Sequence, residues 1–453
     1  MVYEIDSQSG IAPARNHKLS KGNDLKGRIA MSLIRQGRRH RLQWRKNIME
    51  AVYERCCGID VHKKSICVCL RIGRKKETRE FGTSTKELRE MAEWLIEHDC
   101  QLAAMESTGS YWKPVYNVLE VLGLEVIVVN AHHIKNVPGR KTDIKDAEWI
   151  AELLQHGLLK ASYIPDRSQR ELREIARYRK SLVEERAREI NRLEKTLQGA
   201  NIKLSSVVSE ITGKSSRNII EALVGEGLTE ENVDSLLRGS LREKRKDILT
   251  FCDGYLSPLQ RKLIRAILDH IDDMTRRIAD IDNIINGQMK EYEEAIKKLE
   301  EIPGIGKRSA QVILAEIGLD MSRFPTAGHL AAWAGLAPGN NESAGKRKNS
   351  STRKGNITLK TTLIQCAKTA KKKKGSFFKA QFDRLCVKRG KNRAVVAVAH
   401  SMMIAIYNML KYDVPFQDLG EDYYNQFNTE KKINHYLKKL QNLGWQLPIV
   451  APA

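Results

Sequence analysis

Cys57-Gly58-Ile59-Asp60-Val61-His62-Lys63-Lys64-Ser65-Ile66-Cys67-Val68-Cys69-Leu70-Arg71 is the stretch on which the fold turns. Its apolar and β-branched residues predict one strand over 57–61 and a second over 65–71, with Lys63-Lys64 as the turn of a hairpin. Residues 79–83 are predicted as a third strand. Asp60 stands between Ile59 and Val61, and a carboxylate in an apolar strand is costly to bury without compensation. The reason for it has to lie elsewhere in the chain.

Downstream, helix and strand signals alternate. Ser84 suits the N-cap of a helix whose apolar face carries Leu88, Met91, Ala92 and Leu95. A short strand over 102–105 ends at Glu106, a helix covers 111–122, and a Val/Ile strand covers 125–130. A basic loop over 132–140 then leads into Lys141-Thr142-Asp143-Ile144-Lys145-Asp146-Ala147. Trp149, Ile150, Leu153 and Leu154 continue this stretch with helical spacing, so Asp143 and Asp146, three apart, share a helix face. Acidic residues also suit a helix start through its dipole, so the pair alone does not define a site. A hairpin followed by alternating helix and strand predicts an α/β domain with a mixed sheet.

Four carboxylates stand out together: Asp60, Glu106, Asp143 and Asp146. A divalent cation would supply the compensation that Asp60 needs. Mg²⁺, or Mn²⁺ in its place, prefers a few carboxylates together with water and phosphate oxygens, and paired ions of this kind serve phosphoryl transfer. A strand acid, a strand-end acid and an acidic helix, in this order, form the layout of an RNase H-like nuclease fold. His62 is read as a surface residue or as support behind the ligands.

From Pro165 the chain turns helical. Leu172, Ile175, Leu182, Ile190, Leu193 and Leu197 mark one amphipathic helix. A second stripe steps by threes and fours from Leu263 through Ile267, Ile271, Met274, Ile278, Ile281, Ile285, Met289, Tyr292 and Ile296 to Leu299. Neither stripe can bury itself, so the two are expected to pair as a long antiparallel coiled-coil arm, within the chain or between protomers. Residues 201–255 would form its tip. Ile302-Pro303-Gly304-Ile305-Gly306 then precedes a helix over 307–317, with Ala310, Ile313 and Leu314 as its packing face. This Pro-Gly-x-Gly turn resembles a helix-hairpin-helix element. Gly304, Gly306 and Lys307 are therefore candidates to hold a phosphate, although a plain helix-turn-helix fits the same residues.

Net charge is +23 at a pI near 9.6, which points to a polyanion as partner, nucleic acid before membrane. The imbalance is greatest over 343–393, where 17 Lys or Arg face one acid, Asp383. The polar loop containing Lys346, Arg347 and Lys348, with Arg353 and Lys354 after it, is read as the main phosphate-binding face. A largely apolar helix over 393–410 would close that domain, with His400 as a packed or surface histidine. A further helix over 429–443 is the only element expected in the tail. Residues 1–50 carry 11 Lys or Arg against four acids and read as a basic, poorly ordered arm, or as the product of a start codon placed too early, since Met49 precedes the first strand. The eight cysteines show no C-x-x-C spacing and read as reduced, buried thiols. No apolar run is expected to span a membrane, no secretory signal is expected, and a cytoplasmic setting follows as the expectation.

Several of these stretches resemble the motifs of one family, the DEDD transposases of insertion sequences, the "one-ten" family, which has a RuvC-like N-terminal domain. They are Gly58-Ile59-Asp60-Val61-His62-Lys63, Met105-Glu106-Ser107-Thr108-Gly109, the 141–147 stretch, the 302–306 turn, and Ala334-Gly335-Leu336-Ala337-Pro338 with Ser343-Ala344-Gly345-Lys346 after it. The resemblance covers roughly 53–410. It implies that Asp60, Glu106, Asp143 and Asp146 form a metal-binding tetrad and that Ser343 is a nucleophile forming a phosphoserine link to DNA. It also implies double-stranded donor and target DNA, a structured guide RNA, and a homo-oligomer, dimer or tetramer, in which one protomer's serine completes another's acidic site. In the family the serine is followed directly by glycine; here Ala344 intervenes, and Ser350 and Ser351 stand close by as alternatives.

The expected architecture is therefore α/β plus all-α. A basic arm (1–50) precedes an RNase H-like, RuvC-like mixed-sheet domain (51–164) and a coiled-coil arm (165–300). A helical DNA-binding domain (301–412) and a tail (413–453) follow. A junction resolvase hydrolysing DNA with water, and a non-catalytic nucleic-acid-binding protein, are the competing readings.

Overall fold

The computed structural model describes residues 51–107, 109–130, 134, 146–339, 341–343, 346–349, 351–426 and 429–444. Asp143, Ser350, the arm over 1–50 and nearly all of the loop over 132–140 lie outside the described residues. The chain divides into two compact units between Tyr163 and Ile164.

The first unit is built on a five-stranded sheet of order β3-β2-β1-β4-β5. Strands β1 (Arg55–Val61), β2 (Ser65–Ile72) and β3 (Lys75–Gly82) run antiparallel. Strands β4 (Leu102–Glu106) and β5 (Val126–Val129) run parallel to β1 on its other side. This mixed sheet is compatible with an RNase H-like domain. The third strand begins at Lys75, earlier than the apolar pattern suggests. Its first residues are charged, and an edge strand open to water needs no apolar alternation to pair.

Helix α1 (Thr85–Glu97) starts with a capping box between Ser84 and Glu87, and Leu88, Met91, Ala92 and Leu95 are buried on the predicted face together with Trp94. It packs against β3, and α2 (Trp112–Val121) packs against β5. The other layer is α3 (Asp146–Gln155), which lies on β1. Trp149, Ile150, Leu153 and Leu154 form a core with Cys56, Leu102, Ala104 and Val129. Lys76 Nζ anchors the helix from the side through Glu148 Oε2 at 2.8 Å.

In the second unit, α4 (Arg167–Gly199) pairs with α7 (Pro258–Gln288). Arg179 Nε meets Asp282 Oδ1 at 2.5 Å, and Arg186 Nη1 reaches Thr275 Oγ1 at 3.2 Å. Leu193 and Leu197 share a core with Ile264 and Ile267, so the two helices run antiparallel. The second stripe is not one helix: α7 ends at Gln288, a 3₁₀ turn spans Lys290–Tyr292, and α8 (Glu293–Glu300) follows. After the turn Ile296 and Leu299 stay buried while α8 packs against the next helix (Lys307–Ile317), so the apolar stripe continues in sequence while its partner changes. Leu263, placed on the stripe by spacing, is 48% exposed, and Ile264 occupies the core instead. Between the long helices, α5 (Lys214–Val224) and α6 (Arg245–Phe251) extend that same core with Ile219, Ile220, Val233 and Ile248.

The rest of the unit is helical: α9 (Lys307–Ile317), α10 (Ala327–Trp333), α11 (Ile357–Ala370), α12 (Phe377–Arg389) and α13 (Lys391–Tyr412), with α14 (Thr429–Asn442) in the tail. The segment read as a polar loop contains an antiparallel pair, β6 (Asn341–Ser343) and β7 (Lys346–Asn349). Against expectation, α13 is long and apolar enough by length and composition to cross a bilayer. Half of its apolar window is buried, and it packs against α10, α11 and α12 as the domain's core helix, which accounts for that composition.

Candidate active site

Gly58 decides where the acidic helix sits. A Cβ there would lie 2.3 Å from both the Ala147 carbonyl oxygen and the Ala151 nitrogen, so only glycine lets α3 settle onto β1. Side chains alternate across a strand, which puts Asp60 on the same face as Gly58, toward α3. Parallel pairing of Ile59 with Met105 brings Glu106, the next residue of β4, level with Asp60. The residue before Ala147 is Asp146, the first residue of α3. Three elements thus deliver three carboxylates to one end of the sheet.

The electrostatics reflect this placement. The Asp60 side chain is 19% exposed and its Oδ2 lies 3.0 Å from His62 Nε2. Burial is the main influence and raises its pKa above the ordinary carboxylate value; His62 opposes the rise, while the charges of Asp146 and Glu106 add to it. Carboxylate oxygens are the donors that Mg²⁺ or Mn²⁺ takes, and Asp60 lies within the electrostatic reach of two further carboxylates, with the exposed His62 imidazole beside it. Among the described residues, no three His, Cys, Asp or Glu side chains converge tightly enough to hold an ion. Asp143, the fourth acid of the sequence reading, lies outside the described residues. His62 is 66% exposed and is engaged with Asp60 itself.

In the second unit, Ser343 ends β6 and its backbone registers with Lys346 on β7, which also carries Arg347 and Lys348. Arg353, Lys354, Gly306 and Lys307 are exposed. Gly304 proves to have a packing role. At φ +88° it turns toward α11, where a Cβ would meet the Cys366 carbonyl oxygen at 2.4 Å and the Ala370 nitrogen at 2.7 Å. A Cβ on Gly306 would meet nothing within 4 Å. The eight cysteines are free thiols, six of them buried, as their spacing suggested.

Sequence reasoning missed the polar hub of this unit. Glu316, 1% exposed, accepts from Arg177 Nε at 2.7 Å and Nη2 at 2.8 Å. Asn356 Nδ2 donates to it at 2.6 Å, and Arg173 Nε stands 3.5 Å away. The signal was present: Glu316 interrupts the apolar run of α9, and Arg173 and Arg177 lie four apart on α4.

Two family models match the chain. One, described as transposase of the DEDD/IS110 type, covers residues 57–202; the other, described as transposase IS116/IS110/IS902 family, covers residues 296–383. The chain is similar to the putative transposase y4qE of Sinorhizobium fredii (strain NBRC 101917 / NGR234), 24% identical over 69% of this chain and 70% of that protein. It is also similar to the insertion element IS116 uncharacterized 44.8 kDa protein of Streptomyces clavuligerus, 24% identical over 70% of this chain and 88% of that protein. Similarity to the pilin gene-inverting protein of Moraxella bovis is 22% identity over 79% of this chain and 96% of that protein. The first family match contains Asp60, Glu106 and Asp146, and the second contains Ser343 and its basic surroundings. The chain belongs to the IS110 family of transposases.

Proposed function

We propose that the chain is a recombinase of a mobile element in which Asp60, Glu106, Asp143 and Asp146 hold Mg²⁺ or Mn²⁺ and Ser343 is the nucleophile. The observation that carries this reading is the geometry that brings Glu106 and Asp146 to the Asp60 end of the sheet: the β1–β4 pairing and the close β1–α3 packing at Gly58. When bound, the cation supplies positive charge against the phosphate oxygens as negative charge builds there. The part of Asp60, Glu106 and Asp146 is to fix that charge at one end of the sheet. In the chemical step the Ser343 hydroxyl oxygen bonds to a DNA phosphorus while the bond from phosphorus to a deoxyribose oxygen breaks. The serine proton passes to solvent base, and the departing sugar oxygen takes up a proton. Attack on the phosphoserine by the hydroxyl of another strand reverses these changes, rejoins DNA and frees the serine. An unassisted hydroxyl is a poor nucleophile, so Ser343 depends on the acidic site, with Lys346 beside it in register.

The basic segment 343–393 binds the DNA backbone, and Gly306 and Lys307 at the start of α9 add a phosphate contact. The antiparallel α4–α7 pair serves as a coiled-coil arm, and the turn before α9 as a helix-hairpin-helix-like element. Donor and target DNA are chosen by a structured guide RNA, and the enzyme acts as a dimer or tetramer in which one protomer's serine meets another's tetrad. Similarity to a pilin gene-inverting protein supports the rearrangement of DNA as the outcome. The test is a recombination assay with the nucleic acid that copurifies with the protein. Ser343→Ala and Asp143→Asn should each abolish strand joining and retain DNA binding. Normal joining by Ser343→Ala with loss in Ser350→Ala or Ser351→Ala would overturn the serine assignment. Copurification of random fragments alone would overturn the guide.

A further inference from the structure

Helices α12 and α13 leave a cleft of about 700 Å³ between them and the 336–338 and 351–352 segments. Its volume is that of a site for a small organic molecule. Leu336, Pro338, Leu385 and Val396 give it aliphatic walls. Gln381, His400 and Ser401 lie at its inner end, where the Gln381 side-chain nitrogen donates to Ser401 Oγ at 2.8 Å. The Gln381 amide oxygen and His400 Nδ1 are buried without a hydrogen-bond partner. Burial lowers the pKa of His400 below its ordinary value, which favours a neutral ring with one acceptor nitrogen. An unmatched buried polar atom is costly, and a small turn of either side chain toward the cleft would let an occupant complete it. At the other end, Arg389 and Arg393 flank the Gly390 turn, both exposed and both without an ion pair among the described residues.

A planar ring with hydrogen-bonding edges would suit the walls and the inner end, and a phosphate would suit the two guanidinium groups. A nucleotide joins both features in one molecule. We propose that this cleft takes in a single unstacked nucleotide of a bound strand, with its base between the aliphatic walls and its phosphate at Arg389 and Arg393. Enzymes that take a base out of the stack read it by its edge in this way, between apolar or aromatic surfaces. The inference rests on the nucleic-acid-binding reading of this domain and adds to it a site that holds one base. A strand held so would be fixed in register beside the segment that leads from β7 through Ser351.

The test uses the full chain and short random-sequence single strands carrying 4-thiothymine or 6-thioguanine, irradiated and mapped by peptide mass spectrometry. Adducts are expected within 385–401 for at least one probe. Ala397→Trp, which fills the cleft, should lower them about tenfold while affinity for unmodified strands changes by less than about threefold. Arg389→Gln combined with Arg393→Gln lies at the exposed mouth and keeps the test valid if the tryptophan disturbs folding. It should also lower the adducts and reduce the salt slope of binding by about one to two. Strands that bind with adducts confined to lysines elsewhere, or adducts within 385–401 that neither variant changes, would overturn the cleft and leave the recombinase reading intact. Absence of binding to these strands and to duplex DNA alike would overturn the nucleic-acid-binding reading of this domain together with the cleft.

Discussion

A methyl group on Gly58 would stand 2.3 Å from the carbonyl oxygen of Ala147. Both contacting atoms at that distance are backbone atoms of α3, so no side chain can swing aside to relieve the clash. The same contact places Asp146, one residue earlier, over the sheet end that holds Asp60. Gly58→Ala should therefore cost about 3 kcal/mol by overpacking, and it should lower recombination further than the stability loss alone accounts for. Denaturant melts together with assays of the remaining folded fraction separate the two effects.

Glu316 is the buried carboxylate on which α4, α9 and α11 meet. Glu316→Ala leaves Arg173, whose side chain is only 11% exposed, without its acid. The expected loss is about 3 kcal/mol. Arg177 is 48% exposed, so Arg177→Ala, which leaves Glu316 with Arg173 and Asn356, should cost about 1 kcal/mol. Thermal melts of the two variants should keep that order; the reverse order would remove Glu316 from the centre of the network.

Gly304 and Gly306 separate packing from binding within one turn. Gly304→Ala adds strain at φ +88° and a clash with α11, and should cost about 2 to 4 kcal/mol. Gly306→Ala enters open space and should cost less than about 1 kcal/mol. If the start of α9 holds a phosphate, Gly306→Ala weakens DNA binding in a filter or polarisation assay while its melting temperature stays near that of the wild type.

Asp166 caps α4, accepting from Ser168 Oγ at 2.6 Å and from the Gln169 nitrogen at 2.9 Å. These bonds hold its pKa below the ordinary value of 3.8. A depressed folded pKa means that the group contributes stability above the unfolded value and loses it as pH falls through the folded one. Asp166→Asn keeps an oxygen for the cap and removes the titration. The variant should be slightly less stable at neutral pH, by under about 1 kcal/mol, and the difference should shrink as acid protonates the wild-type carboxyl. Melting curves across that range check it.

The strands and helices of the first unit were legible because burial there writes itself into alternation: Ile59 and Val61 around Asp60, and Leu88, Met91, Ala92 and Leu95 on α1. The start of β3 was hidden because an exposed edge imposes no such pattern on Lys75 to Thr78. The break at 289–292 was hidden for the opposite reason, since Met289, Ile296 and Leu299 stay buried while their neighbours change. Of the candidate site, the three acids that the structure describes could be named from sequence because each falls at a strand, a strand end or a helix start. The roles of Gly58 and Gly304 could not be separated from turn chemistry, because both depend on the backbone of a distant helix. The Glu316 hub and the α12–α13 cleft join residues far apart in the chain, and spacing rules see only near neighbours.

The account turns on a covalent bond between Ser343 and DNA made at the acidic site. The most direct measurement incubates the protein with its copurified nucleic acid and labelled DNA in Mg²⁺, denatures the mixture, and maps the modified peptide by mass spectrometry. The account predicts a nucleotide adduct on the peptide containing Ser343, absent in Asp60→Asn and after chelation by EDTA. Strand cleavage with no adduct, or an adduct on Ser350 or Ser351, would contradict it.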